Sequence, residues 1–216
     1  MRHGGRGESR WPAAAAVLAA VLVQVLLTDR LVPGPPLLLP GLELLLMVGL
    51  LAGDPTRLTR ESKDLRLLAV VVIGVVAAVN TVALGELVHR LLGRGISDGR
   101  QLLGAAAGVW LTNVLVFGLA YWELDRGGPL GRAGARPAPA HPDLWFTQDG
   151  DAGAAPAGWR PVFADYLFVA LTAATAFSPT DTLPLTPRAK LLMGLQALVS
   201  LLTIGLVAAR AVNILR

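Results

Sequence analysis

The chain has no cysteine, so disulfide staples and thiolate metal sites are excluded, and no redox compartment follows from it. Charge is scarce, with 16% of the 216 residues charged, and aromatic residues are scarcer at 6%. The histidines, His3, His89 and His141, stand far apart in polar connections, without metal-ligand spacing. No nucleophile elbow, phosphate-binding loop or dinucleotide fingerprint occurs. These absences leave little for catalysis to be built from. The expectation is a protein that is not an enzyme and needs no cofactor or metal.

What is present is apolar. Hydrophobic residues make up 54% of the chain, too many for an ordinary soluble domain, and they fall in runs. Crossing ~30 Å of hydrocarbon takes ~20 such residues in a helix. The net charge of +4 comes from arginines beside these runs, which is membrane-flanking charge and not a nucleic-acid footprint. The expected class is an all-α integral membrane protein with about five transmembrane helices and a re-entrant half-helix before the last one. The expected location is the plasma or inner membrane, with the lipid bilayer as partner and no nucleic acid.

The first run, Trp11 to Leu27, follows Arg2, Arg6 and Arg10. It reads as a retained span better than as a signal peptide, because Thr28-Asp29-Arg30 follows without a small-residue cleavage site. Prolines at 33, 35 and 36 make a turn, and a second span is expected from Leu37 to Gly53, carrying Glu43. A charged loop with Arg57, Arg60, Lys63 and Arg66 precedes a third span, Leu67 to Val88, that contains Asn80 and Glu86. A fourth runs from Leu102 to Trp122, with Asn113 inside and Tyr121-Trp122 placed as an interfacial aromatic belt. Residues 1–122 thus read as a four-span region.

Residues 123–160 are rich in Gly, Pro and Ala and read as a long surface loop or partly disordered linker. A local salt-bridged cap is expected at Trp122, Glu123, Asp125 and Arg126. Residues 161–216 then combine a short apolar segment, Pro161 to Ala176, a polar turn, and a long helix. Thr186-Pro187 marks the start of that helix as an N-cap followed by proline at the first helical position. Continuing to Leu215, it covers about 29 residues, roughly 43 Å at 1.5 Å per residue.

Polar residues inside these apolar runs are the candidates for function. In the last helix Gln196, Ser200, Thr203 and Arg210 fall within roughly 80° of one another at 100° per residue, forming one polar stripe. Gly194 and Gly205 lie near the opposite face, where small residues permit close helix packing. The stripe either lines a cavity or is hydrogen-bonding glue between helices. The segment before it is too short to cross a bilayer, so it is either re-entrant or an interfacial amphipathic helix. The intramembrane carboxylates Glu43 and Glu86 are costly, about 2.5–3.5 kcal/mol each, and so demand partners. Glu86 lies close to the basic end of its span and is expected to reach the interface or to pair with Arg90 four residues on. Glu43 would pair with Arg210, stay protonated, or face a cavity.

The string from Asp165 to Leu202 resembles the pore module of potassium-channel-type ion channels: pore helix, filter, exit turn, inner helix. Thr175 matches the first filter threonine, Asp181 the aspartate after the filter, and Thr186-Pro187 precedes the inner helix. The likeness covers about a quarter of the chain. It fails at the filter, where Ala176-Phe177-Ser178-Pro179-Thr180 replaces the glycines that let successive carbonyls point inward. Pro179 fixes its own φ and restricts Ser178. Potassium selectivity is therefore not expected. The same string, with Tyr121-Trp122-Glu123-Leu124-Asp125-Arg126-Gly127-Gly128-Pro129, also resembles a group of uncharacterised bacterial integral membrane proteins.

What the channel resemblance implies is a homo-oligomer, a tetramer in that family, with a constriction formed by Thr175, Phe177, Ser178, Thr180 and Asp181 and a lining of Gln196, Ser200 and Thr203. A ring of Asp181 would favour cations; alternatively Ser178 and Asp181 only satisfy turn backbone. Two functions follow: an ion pathway without potassium selectivity, or a non-conducting membrane scaffold or partner subunit. Lys/Arg counting over short loops places the N-terminus in the cytoplasm, which for five spans puts the C-terminus outside. The channel analogy puts the C-terminus inside, and the small charge margin leaves the analogy preferred.

Overall fold

The computed structural model describes residues 11–31, 41, 63–92, 99–134, 139–150, 156, 158–175 and 182–214. The expected second span with Glu43, and Phe177, Ser178, Thr180 and Asp181, lie outside the described residues. The chain is mostly helical. Long helices are α1 (Trp11–Leu31), α2 (Lys63–Leu92), α3 (Gly99–Leu124) and, at the end, α7 (Pro187–Ile214). Between α3 and α7 come a 3-10 turn (Asp125–Gly127), α4 (Gly128–Arg132), β1 (Leu144–Phe146), α5 (Thr147–Gly150), α6 (Phe163–Ala174) and β2 (Thr182–Pro184).

Three helices are long and apolar enough to cross a membrane, over Arg66–His89, Leu103–Arg132 and Pro187–Ala209. Their apolar residues run all round the helix, as helices surrounded by protein or lipid require. Two thirds of the second window (67%) is buried within the chain against 17% of the last, so α3 is the centre and α7 lies on the outside. Around α3 pack α1, α2, α6 and α7. One core joins Ala16, Ala20 and Val21 of α1 to Val72 and Val76 of α2, and to Val114, Leu115 and Leu119 of α3. A second core joins Ala83, Leu84 and Leu87 of α2 to Ala105, Ala106 and Val109 of α3, with Val199, Leu206 and Val207 of α7 against it.

The helix starts follow local chemistry. At α6, Val162 N–H donates to Asp165 Oδ2 (2.7 Å) and Asp165 N–H to the Val162 carbonyl (2.9 Å), so an acidic third residue closes the first turn. At α7, Pro187 takes the first helical position and Thr186 Oγ1 accepts from Ala189 N–H (3.3 Å), as the Thr-Pro pair predicts.

The stretch 123–160 departs from expectation. Its described part is folded, because two large apolar side chains, Leu144 (1% exposed) and Phe146 (4%), enter the core. Phe146 packs edge-on against Tyr166 (ring centroids 5.5 Å apart) and against Trp159 (5.8 Å). Strand β1 pairs antiparallel with β2 in the register Leu144↔Pro184, Trp145↔Leu183, Phe146↔Thr182. A segment poor in apolar residues thus builds its core from its own Trp159 and from Tyr166 of α6.

Candidate functional site

Two polar systems hold the helices that follow α3. The first caps the C-terminal end of α3 and begins with a sharp reversal. Arg126 (φ 55°), Gly127 (φ 78°) and Gly128 (φ 80°) are successive left-handed residues, which two glycines make accessible and which Arg126 adopts at a local cost. The reversal turns Asp125 inward, where it is 1% exposed.

Asp125 is the hub. Its Oδ1 accepts from the Asp143 N–H (2.7 Å) and the Leu144 N–H (3.2 Å). Its Oδ2 accepts from the Tyr166 hydroxyl (2.7 Å) and Arg126 Nε (3.1 Å). A buried carboxylate is tolerated where donors surround it, and four do so here. Arg126 reaches on to Asp149 Oδ2 (2.5 Å), which also accepts from Phe146 N–H (2.9 Å). Asp143 in turn receives both Nε (2.6 Å) and Nη2 of Arg188 and the Thr186 hydroxyl (2.5 Å). Arg188 stands in the first turn of α7, where the helix dipole disfavours a cation; the two-pronged pairing with Asp143 offsets that. Arg132, 6% exposed, donates to the carbonyls of Trp122 (2.8 Å) and Asp125 (3.1 Å), with its Cζ 4.9 Å from the Tyr166 ring centre. Arg66 at the start of α2 meets Glu123 at 3.7 Å.

The expected cap at Trp122, Glu123, Asp125 and Arg126 is therefore present but wider than local. Tyr121 (2% exposed) and Trp122 (6%) are buried within it and beside it, and do not form an outward aromatic belt. Trp122 meets Phe163 edge-on at 6.0 Å. They are buried because the chain doubles back over the end of α3.

The second system is a seam between α3 and α7. Asn113 Nδ2 donates to Ser200 Oγ (2.8 Å) and to the Gln196 carbonyl (3.2 Å). Tyr121 Oη donates to Gln196 Oε1 (2.6 Å), and Gln196 Nε2 donates to the Ala170 carbonyl of α6 (2.6 Å). Thr203 Oγ1 donates within its own helix to the Val199 carbonyl (2.8 Å). Gln196, Ser200 and Thr203 are 0%, 1% and 1% exposed. Of the two readings of this stripe, glue between helices is the one these contacts fit. For Gln196 and Ser200, α3 and α6 of the same chain occupy the space they face, while the side chain of Arg210 lies outside the described residues.

The face opposite the stripe also differs from expectation. Nothing lies within 4 Å of a Cβ added at Gly194 or Gly205, so neither supports close packing among the described residues. The tight crossing is elsewhere, at Gly118 of α3, whose added Cβ would be 3.3 Å from Leu167 Cα of α6. Thr175, just past α6, donates its hydroxyl to the Leu171 (3.0 Å) and Thr172 (3.2 Å) carbonyls. Glu86 is half-buried on α2 and is partnered.

Sequence reasoning singled out the stripe and Asp125 but missed Asp143, Tyr166, Arg132 and Arg188. Only Arg188 carried a readable signal, a cation at a helix N-terminus that needs a carboxylate from elsewhere. Among the described residues no group of three His, Asp or Glu side chains is placed to hold a metal ion. Comparison with protein-family models, with curated proteins and with solved structures finds no match.

Proposed function

We propose that the chain is a multi-pass protein of the plasma or inner membrane in which α6 and α7 keep the arrangement of a channel pore module without its conduction: a membrane scaffold or partner subunit. The observation that carries this is the occupied stripe. A lining residue must meet water and ions, whereas the side chains of Gln196 and Ser200 are hydrogen-bonded to α3 and α6 of the same chain. The large side chains Leu191, Leu195, Leu198, Leu201, Leu202 and Ile204 are exposed on α7, as a lipid-facing or subunit-facing helix requires.

In this reading α6 is a re-entrant half-helix. Its 12 residues span about 18 Å, too little for a bilayer core of ~30 Å. It begins at the capped end, where Tyr166 bonds Asp125, and ends where Trp110 Nε1 donates to the Ala174 carbonyl (3.3 Å), near the middle of α3. Strand β2 is back at the capped end, beside β1. The chain so enters and leaves on one side, and buried Tyr166, Val169, Ala170 and Ala174 seat it on the bundle.

The competing reading is a homo-oligomeric ion pathway, a tetramer on the channel analogy. The exposure of Phe168 (58%) and Leu171 (41%) favours it, since this side of α6 is open to a neighbouring copy. Asp181 would then form the ring. Purified protein in planar bilayers separates the two: no unitary current at any voltage is expected. A reproducible current whose reversal potential shifts in Asp181→Asn would refute the non-conducting reading.

A further inference from the structure

Beside the cap lies a cavity of about 300 Å³ lined by Arg126, Gly131, Arg132, Gly134, Pro139, Pro142, Arg160 and Pro161. We infer that this cavity is a binding site for a phosphate group, carried by an anionic lipid headgroup or by a soluble phosphate.

Three arginines line it, and among the described residues none of its lining is acidic. The other five described lining residues are Gly and Pro, which bring no side-chain acceptor to compete for the arginines. The arginines are held in different ways. Arg132 is fixed by the Trp122 and Asp125 carbonyls and by the faces of Trp122 and Tyr166. Arg126 is held by Asp125 and Asp149 through Nε and Nη2, and its Nη1 has no hydrogen-bond partner among the described residues. Arg160 donates Nη1 to the Arg132 carbonyl, which leaves Nε and Nη2 without partners among the described residues.

The cavity therefore offers planar N–H donors on two arginines, Arg126 and Arg160, that no described residue uses. That is the geometry at which arginine binds phosphate or carboxylate two-pronged. Its size is at the lower end of ligand pockets, roughly 300–1,000 Å³, enough for a phosphate and the glycerol next to it. Its lining includes Arg132, at the end of the span Leu103–Arg132, the level at which basic pockets meet lipid headgroups.

The test uses the full chain, delipidated in neutral detergent and followed by native mass spectrometry and by melting monitored through tryptophan fluorescence. It is titrated separately with phosphatidylglycerol, phosphatidylcholine and inorganic phosphate. Saturable binding of phosphatidylglycerol, tighter than phosphatidylcholine, is expected, weakened roughly tenfold in Arg160→Ala as one charge-assisted pair is lost. Arg160→Lys should recover part of this, since it keeps the charge and loses the fork. Arg160 is exposed, so its variants are expected to fold, which an unchanged melting temperature without ligand checks. Displacement of lipid by inorganic phosphate assigns the site to a soluble ligand; lipid binding that phosphate leaves untouched assigns it to the headgroup. Failure of both anions to bind wild type, or equal affinity of wild type and Arg160→Ala, overturns the proposal.

Discussion

Replacing Gln196 by leucine tests whether the polar stripe of α7 is packed or hydrated. The change removes two hydrogen bonds, Nε2 to the Ala170 carbonyl (2.6 Å) and Oε1 from Tyr121 (2.6 Å). Such bonds between helices in a membrane contribute about 0.6 kcal/mol on average and up to about 1.7 kcal/mol. Leucine also strands the Tyr121 hydroxyl at a site 2% exposed, at a cost of about 1–3 kcal/mol. Gln196→Leu should therefore destabilise the protein by about 2–4 kcal/mol. Tyr121→Phe breaks one of the same bonds, and adding it to Gln196→Leu removes the stranded hydroxyl. The double variant should then be more stable than the two single losses predict, with a coupling of about 1–2 kcal/mol. Reversible unfolding in mixed micelles, followed by tryptophan fluorescence, measures all four corners of the cycle. Losses that add to within about 0.5 kcal/mol, or a Gln196→Leu variant as stable as wild type, would mean that water replaces the lost partners. The stripe would then face a hydrated space, and the sealed-seam reasoning would fail.

At the cap, Asp125→Ala should cost about 3–5 kcal/mol, because it strands the Tyr166 hydroxyl and two backbone N–H groups in buried surroundings and leaves Arg126 with Asp149 as its one carboxylate partner among the described residues. Asp125→Asn should cost less, since its carbonyl oxygen still accepts from Asp143 and Leu144; equal melting temperatures for all three proteins would remove the hub from the account. Gly131→Ala places a Cβ 2.1 Å from the Arg126 carbonyl, a backbone atom, and should cost about 1–3 kcal/mol in the same unfolding assay. Gly205→Ala, where nothing lies within 4 Å, serves as its comparison and should leave stability unchanged or raise it slightly.

The helices were legible because their cause is local. Apolar runs and the Thr186-Pro187 start place α7 at Pro187–Ile214, close to the expected Thr186–Leu215. The short segment before it was expected over 161–176 and is α6, Phe163–Ala174. What the polar groups face was not legible. A helical period groups Gln196, Ser200 and Thr203 on one side, but whether Asn113 or water stands opposite is decided by pairing across 83 residues of chain. The cap was hidden for the same reason. Asp125 meets Tyr166 across 41 residues and Arg188 meets Asp143 across 45, while the intervening composition resembles a linker. Leu144 and Phe146 anchor the described part of that stretch, with the rings of Trp159 and Tyr166 against Phe146.

The separation of α3 from its partners has a bearing on how the protein is made. The most enclosed helix of the bundle is synthesised well before the groups that satisfy it: Asn113 waits 83 residues for Gln196, and Tyr121 waits 75. At about 5–20 residues per second, that is roughly 4–17 s during which an amide and a phenol on α3 have no internal acceptor. For that interval the polar groups of the helix must be met by water or by other molecules, and α7 is the element that brings their acceptors within the chain.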